Sequence, residues 1–498
     1  MTRPSKRAIR EGVDNDGPVA RIDRRNRVPL ALQIYERIRA AIDTRALTPG
    51  ARVASARVLA SELGVARGTV EAAYQRLAGE GYLLARGPAG TIVSPNLSIV
   101  PRVLARAHGA GRAAASTMVD QHEAATATAP DPPPPLQLGI PALDAFPRKI
   151  WSRLAGRRAR ATLPADFGYG DPSGELALKQ AIAAYLLVSR GVACRPRQVF
   201  VTSGYRAGLA LAATTLLAPG DAVWIEDPCY PPTRAVLERA SMAVAPVPVD
   251  DEGLVVAQGR ALAPDARLAV VTPSHQAPLC VSMTVARRLT LLEWAAKARA
   301  WVFEDDYDGE FHYEGPTLPA LKSLDSGDRV LYAGSFSKTL VPALSLGYLV
   351  VPDALVPRFA VAARIAPGSG ARMMQAVVAD FLEQGHFARH LKKMRLLYAQ
   401  RRNWLAQALR TAFGERIEID QTRGGMHLIV RVRGRATDRT LARRAQQAGL
   451  NCQPLSERYA NAGAGARDKG VLMGFTNVTS AREASVIARR LHEAWALG

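Results

Sequence analysis

At 498 residues the chain is too long for one ordinary core and suggests roughly three folding units. Hydrophobic residues at 48% and charged residues at 22% exclude a disordered or fibrous chain. Lys and Arg number 65 against 44 Asp and Glu, and the resulting formal charge of +21 favours a polyanionic partner such as nucleic acid.

Residues 1–27 are polar and Arg-rich and read as a tail, at most an auxiliary DNA-contacting arm. From 28 to 95 the chain is compact and periodic. ALQIYERIRAAID carries an apolar face at Leu32, Tyr35, Ile38 and Ile42, the spacing of a surface helix. After a Pro49-Gly50 turn, Ser55 caps a short helix, SARVLASEL, that Gly64 ends. A second helix runs from Arg67 through GTVEAAYQRLAGEG. Leu59, Ala60, Leu63, Val65, Val70, Tyr74 and Leu77 can share one small core, leaving Arg57, Arg67, Gly68 and Thr69 outside. Two helices joined by a short glycine-containing turn, with an Arg at the start of the second, predict a helix-turn-helix. YLLAR-GPAG-TIVS, with Gly90 in its turn, adds a hairpin wing. In double-stranded operator DNA, Arg67 and Thr69 would meet base edges. Ser55 and Arg57 would hold phosphates, and Gly90 would lie on the wing side of the same surface. The plainer alternative, a small helical interaction domain, leaves the hairpin unexplained.

Residues 96–136 lose this periodicity. His108-Gly-Ala-Gly-Arg and ATATAPDPPPP predict a linker, stiffened at its end by four prolines in polyproline conformation. From 137 to 498, VFVTS, AVWIED, LAVVTP, AWVFEDD, VLYAGS and LGYLVV alternate with helix-length segments, as in a helix-covered, mostly parallel sheet. From about 390 to 498, helices around HLIVRVRG and VLMGFTNV predict a smaller α+β lobe.

No apolar run reaches the ~18 residues that span a bilayer, and MTRPSKRAIREGVDNDG lacks the apolar core of a secretion signal. Cys194, Cys229, Cys280 and Cys452 are far apart with no CxxC pair, which points to a reducing cytoplasm rather than a disulfide framework or structural zinc. HFARH at 386–390 has the histidine spacing of a zinc protease, but Phe387 stands where the glutamate base belongs, so both histidines read as packing and surface residues and no metal is expected. GARDKG at 465–470 lacks the Lys-Ser/Thr of a phosphate loop.

Lys338 follows a strand in GSFSKTLVPALSLGYLV, between small residues and an apolar run that keep it out of bulk water. A partly desolvated lysine loses affinity for its proton and can attack a carbonyl to form a Schiff base. Earlier, AWVFEDDYDGEF ends a strand in Asp305-Asp306-Tyr307. A carboxylate there can protonate a pyridine nitrogen, and the phenol can bond a ring oxygen. VTSGYRAGL offers a strand, a Ser-Gly turn and a helix start whose N–H groups can cradle phosphate. Tyr230 in EDPCYPP supplies a flat ring. Together these are the parts that pyridoxal 5′-phosphate requires.

PLALQIYERIRAAI…LTPGARVASARVLASELGVARGTVEAAYQRLAGEGYL resembles the GntR-type winged-helix domain. Ala66 stands where that family has Ser, which removes one phosphate contact but leaves Arg57 and Arg67. From Leu138 onward the chain resembles fold-type I aminotransferases, and nearly all of it resembles MocR-type transcriptional regulators. The resemblance runs through LGIPALDAFPRKIW, YGDPSGELALKQAIAAYL, VTSGYRAGL, EDPCYPPTR, TPSHQAP, EDDYDGEF, GSFSKTL and GHFARHLKKMRLLYAQRR. It implies Lys338 as the Schiff-base lysine, Asp305 on the pyridinium, Tyr307 on the ring hydroxyl and Tyr230 stacked. It also implies Ser335, Ser337 and the amides of Gly204, Tyr205 and Arg206 on the phosphate, and Tyr169 reaching the phosphate of the other subunit in a head-to-tail homodimer. Ser345 stands where the family has a phosphate-binding Arg, Arg206 where it has Gln, and Ala277-Pro278-Leu279-Cys280 where it has Phe-Pro-Thr-Gly. The last change opens space near the ring and brings in a thiol. Near Val471–Phe475, where aminotransferases hold the substrate carboxylate, only Arg467 and Lys469 carry positive charge.

Three functions follow. The first is a regulator whose aminotransferase-like domain binds the cofactor, dimerises and senses a small amino-containing effector. The second is a working aminotransferase with a DNA-binding appendage, and the third a regulator with a cofactor-free scaffold. The missing phosphate Arg and the apolar carboxylate region count against the second, and Lys338, Asp305 and Tyr307 against the third.

Overall fold

A computed structural model describes residues 28–44, 46–87, 90–95, 133–313, 319–366, 370–420, 424–460 and 469–495. The expected tail and most of the expected linker lie outside the described residues. The chain divides into two compact units, Met1–Ala125 and Thr126–Gly498.

In the first unit, helices α1 (Leu30–Asp43), α2 (Ala56–Leu63) and α3 (Arg67–Gly79) precede strands β1 (Leu83–Ala85) and β2 (Thr91–Val93). Helix α1 buries Ile34, Tyr35, Ile38 and Ile42, while Leu32 is only half-buried. The apolar stripe is therefore turned slightly from the one its sequence suggests. Val70, Ala73 and Leu77 of α3 complete the core with Ala60, Leu83 and Val93. Ser55 Oγ accepts from Val58 N at 3.3 Å, capping α2, and Gly64 ends that helix at φ +63°. The hairpin pairs Leu83 with Val93, and Arg52 bridges to Ile92 on its other side.

The second unit opens with α4 (Arg148–Ala161) and α5 (Leu176–Arg190). Its main sheet uses β3 (Val199–Thr202), β4 (Ala222–Asp227), β5 (Ala243–Asp250), β6 (Gly253–Leu254), β7 (Leu268–Val271), β8 (Trp301–Asp306), β9 (Val330–Ser335) and β10 (Gly347–Val350), in the order β3-β10-β9-β8-β7-β4-β5-β6. All six expected strands are present. Strands β5, β4, β7, β8 and β9 run parallel, whereas β10 is antiparallel to both β9 and β3. Being two reversals from β9, β3 runs the same way. The carboxyl ends of β3, β4, β7, β8 and β9 therefore share one edge, where ligands of α/β sheets bind. AVAPVPVD escaped the sequence reading because prolines argue against a strand. Here Pro246 and Pro248 sit in β5, which has only the two-residue β6 beyond it.

Helices α6 (Tyr205–Leu216), α7 (Pro231–Arg239), α8 (Val256–Leu262), α9 (Val285–Ala298), α10 (Phe336–Thr339), α11 (Val356–Ile365) and α12 (Arg372–Glu383) connect and flank these strands. The 28-residue α13 (His386–Phe413) leads to an antiparallel sheet of β11 (Ile417–Ile419), β12 (His427–Val432), β14 (Val471–Gly474) and β13 (Gln453–Pro454), with α14 (Asp438–Gln447) and α15 (Ala481–Trp495). The end of the proline run is docked here. Leu136 is buried, Pro135 O accepts from Asn451 N and Leu136 O accepts from Gly474 N, both at 2.8 Å. Pro135 and Leu136 thus pack with the second unit, although their composition reads as linker.

The HFARH histidines behave differently from each other. His390 is 7% exposed, and burial pushes its pKa down to about 4, while His386 stacks near Phe381 and meets Arg389. His390 is neutral in the fold but protonates in the unfolded chain near pH 6.5. Stability is therefore complete above that pH and falls as pH drops toward 4, by roughly 3 kcal/mol from this group. Urea titrations of wild type and His390→Gln between pH 7 and 4 are expected to converge as the pH falls.

Candidate functional site

Strands β4 and β8 begin apolar and end acidic, as AVWIED and WVFEDD, so the sheet carries buried carboxyl groups to its ligand edge. Glu226 accepts from Thr272 Oγ1 at 2.5 Å and Thr272 N at 3.1 Å, and burial pushes it up to about 7. Glu304 accepts from the amides of Leu321 and Lys322 at 2.7 and 2.8 Å. Asp306 is paired with Arg190 at 2.7 Å, both side chains almost wholly buried, and accepts from Tyr332 Oη at 2.7 Å. Asp308 faces His275 Nδ1 at 3.1 Å. Asp305 is 6% exposed, and its carboxyl has no hydrogen-bond partner among the described residues. Burial, then the charges of Asp306, Asp308 and Glu226, hold its carboxyl well above the usual range, with Lys338 opposing.

Strand β9 runs directly into α10, which carries Lys338. Lys338 Nζ donates to Gly139 O at 2.7 Å. Burial lowers its pKa, against the pull of Asp308 and Asp305. Gly139 has φ +72°, and a Cβ there would stand 2.5 Å from Nζ, so glycine is required for the amine's position. The Tyr307 hydroxyl lies 3.4 Å from His275 Nδ1, and burial pushes that phenol well up.

Beyond β10, β3 ends at Thr202 and Gly204 takes φ +102° and ψ −177°, a region essentially confined to glycine. A Cβ on it would meet open space. The first-turn amides of α6 have no intrahelical acceptor and begin at that opening. Tyr205 contributes only backbone, because its hydroxyl bonds Thr233 Oγ1 at 2.7 Å and its ring packs near Phe303. Arg206 is exposed, and its charge acts on the phenol of Tyr230, which precedes α7 with its ring 6.1 Å from that of Tyr205. Ser335 Oγ accepts from Ser337 N at 3.2 Å. Ser345, at φ +46°, is exposed. Tyr169 stands fully exposed, as does most of Phe167.

Sequence reading missed Gly139, Arg190, His275, Asp308 and Arg458. Arg458, in the small lobe, carries a guanidinium whose charge acts on Tyr230. Each takes its meaning from a partner far along the chain, so no local spacing marks it. Arg467 lies outside the described residues, and Lys469 is exposed.

In the first unit, Ser55, Arg57, Arg67 and Gly90 are exposed and Thr69 is half-exposed. Arg67 Nε donates to Glu71 at 2.7 Å, an exposed pair that water or a phosphate can replace. Ala66 gives α3 no side-chain cap. Gly90, at φ +90°, closes the wing turn by accepting from Arg86 N at 2.8 Å.

A helix-turn-helix head joined to an aminotransferase-type sheet is thus the class that the two units define. The model of the bacterial regulatory proteins of the gntR family matches residues 30–93, and that of aminotransferase class I and II matches 147–465. The chain is 36% identical to the probable rhizopine catabolism regulatory protein MocR of Rhizobium meliloti, over 92% of each chain. It is 32% identical to the HTH-type pyridoxine biosynthesis transcriptional regulator PdxR of Corynebacterium glutamicum, over 89% of this chain and 91% of that one. In fold, the chain is similar to the kynurenine aminotransferase of Pyrococcus horikoshii, with TM-score 0.65 at 24% identity, over 78% of this chain and 96% of that one. The chain belongs to the MocR-type transcriptional regulators, in which a GntR winged helix precedes an aminotransferase-fold domain. No helix among the described residues is long and apolar enough to cross a membrane.

The Arg190–Asp306 pair is almost wholly buried, one residue along β8 from Asp305. Arg190→Met would leave a buried carboxylate without its cation and is expected to cost about 3–5 kcal/mol, read as a lowered urea midpoint.

Proposed function

We propose that this regulator binds pyridoxal 5′-phosphate in the second unit and reads double-stranded operator DNA with the first, a small amino-containing effector acting through the cofactor site. The observation that carries the cofactor reading is Asp305, a buried carboxyl with no hydrogen bond, in a site that also holds a desolvated lysine. A pyridinium N–H would give Asp305 the partner it lacks and restore its charge. When bound, the cofactor supplies an aldehyde that an amine can capture and a ring that withdraws electrons from it.

Each residue has a separate part. Lys338, held by Gly139 O and depressed by burial, is the amine. Tyr307 bonds the ring hydroxyl, and the half-exposed Tyr230 covers a ring face. The amides from Gly204 to Arg206, with Ser335 and Ser337, hold the phosphate. Arg206 supplies the positive charge that Ser345 does not, since charge-assisted bonds are about twice as strong as neutral ones. Tyr169, exposed beside Phe167 and Leu163, completes the site of a second copy in a head-to-tail dimer. The cytoplasm is the natural compartment for a DNA-binding chain of this kind.

For the cofactor, full-length protein incubated with pyridoxal 5′-phosphate and then borohydride is expected to carry the added mass on the Lys338 peptide. Lys338→Ala is expected to carry none. Labelling that persists on another lysine would overturn the assignment.

For DNA, we assign Arg67 to a base edge and Arg57 to a phosphate. Arg67→Ala is expected to lose about 1–3 kcal/mol on operator and little on random DNA, flattening sequence preference. Arg57→Ala is expected to weaken both alike and to reduce the salt dependence of binding. Titration of both variants on the two DNAs at several salt concentrations checks this, and equal losses for both variants on both DNAs would contradict it.

A further inference from the structure

Cys280 does not behave as an ordinary buried thiol. It stands at φ +63°, 7% exposed, with its sulfur 3.3 Å from His427 Nε2 and 3.5 Å from Pro278 O. His427 Nε2 also lies 2.8 Å from that carbonyl oxygen. A carbonyl only accepts, so His427 carries its proton on Nε2 and presents an N–H to the sulfur as well. His275 is the second imidazole nearby, its ring centroid 6.4 Å from that of His427. Its Nδ1 faces the Asp308 carboxylate at 3.1 Å, which likewise puts a proton on Nδ1. Its Nε2 is buried without a hydrogen-bond partner, in a residue that is itself 7% exposed, and the Cys280 thiol exerts the largest charge effect upon it.

Asp308, His275, Cys280 and His427 thus form a line of alternating acid and base. Burial alone would raise the thiol, but His275 and then His427 outweigh it and bring it down to about 6. Burial alone would lower His275, but Cys280 and Asp308 outweigh it and hold that imidazole well up. Tyr307 and Tyr313 also feel the sulfur, and both phenols are pushed well up and stay neutral. The other cysteines have no such neighbours. Burial pushes Cys194 up to about 11 and Cys229 up to about 12, and Cys452 higher still. No group of three or more His, Cys, Asp or Glu residues among those described is placed to hold a metal ion.

We propose that Cys280 is an oxidation site: a thiolate activated between His275 and His427 that hydroperoxides convert to a sulfenic acid. The sulfur attacks the terminal oxygen of R–O–O–H, forming the S–O bond and breaking the O–O bond. The leaving R–O⁻ takes the Nε2 proton of the His275 imidazolium and departs as R–OH. Sulfur loses two electrons, the peroxide gains them, and the products are Cys–S–OH and a neutral His275 that still donates to Asp308 through Nδ1. The co-reactant is small, hydrogen peroxide being little larger than the water molecules that penetrate such sites. This inference stands on the chain's own residues and is independent of the cofactor reading.

The test uses full-length protein without added cofactor. It is exposed briefly to hydrogen peroxide at pH 6 and then unfolded in dimedone, which traps sulfenic acid wherever it lies. At that pH about half of Cys280 is thiolate, against well under one per cent of an ordinary thiol, and allowing for the lower nucleophilicity of a low-pKa thiolate leaves a rate advantage of about ten-fold or more. Adduct is therefore expected on the Cys280 peptide at least ten times faster than on the peptides of Cys194, Cys229 or Cys452. The rate at Cys280 is expected to be half-maximal near pH 6 and to move upward by a unit or more in His427→Gln. A folded Cys280→Ser variant is expected to give no adduct under the same exposure. Adduct spread evenly over the cysteines, a rate that rises only above pH 8, or no adduct at Cys280 at any pH would each overturn the proposal.

Discussion

Burying carboxyl groups at the end of a hydrophobic sheet is costly unless each finds a partner, and that constraint organises the second unit. Arg190 reaches from the end of α5 to Asp306, backbone amides of the 321–322 turn cover Glu304, and Thr272 with Gln276 covers Glu226. Tyr185 donates to Glu310, and His275 meets Asp308. Each of these contacts ties a loop or helix to the ligand edge. Asp305 is the exception: burial and the neighbouring carboxylates hold it well above the usual range, with only the charge of Lys338 opposing.

The same economy explains the lysine. Lys338 is close enough to Asp305 and Asp308 for their charges to oppose the loss of its proton, yet burial prevails. Its one hydrogen bond goes to Gly139, near the beginning of the second unit, so the amine is steered by a segment whose position depends on the small lobe through Gly474 and Asn451. The candidate site and the small lobe are therefore linked through this segment.

The departures from the usual family pattern also fall into place chemically. Where the family has an arginine, Ser345 stands exposed in a left-handed turn, and Arg206 is exposed as well. The Ala277–Cys280 segment sets a thiol against His427 of β12 and within the charge of His275 from the loop after β7. The change that in sequence brings in a thiol places it, in space, beside an imidazole.

The amino-acid sequence by itself determined the first unit almost completely. Its signals are local: the cap at Ser55, the glycine at 64, the apolar stripes and the hairpin turn all act within a few residues, whereas the packed helices decided that Ile34 takes the place of Leu32 in the core and that Leu59, Leu63, Val65 and Tyr74 stay half-buried. In the second unit the six apolar strands, the Ser-Gly turn before α6 and Lys338 after β9 were also legible, because strand ends and helix starts are written in adjacent residues. Strand β5, next to the edge, was hidden by its prolines, and the docking of Pro135 and Leu136 by a composition that suits a linker. What only the tertiary structure decided is which carboxyl has a partner and which has none. Arg190 lies 116 positions from Asp306, His427 lies 147 from Cys280 and Gly139 lies 199 from Lys338, and electrostatics at a few ångströms take no account of such separations.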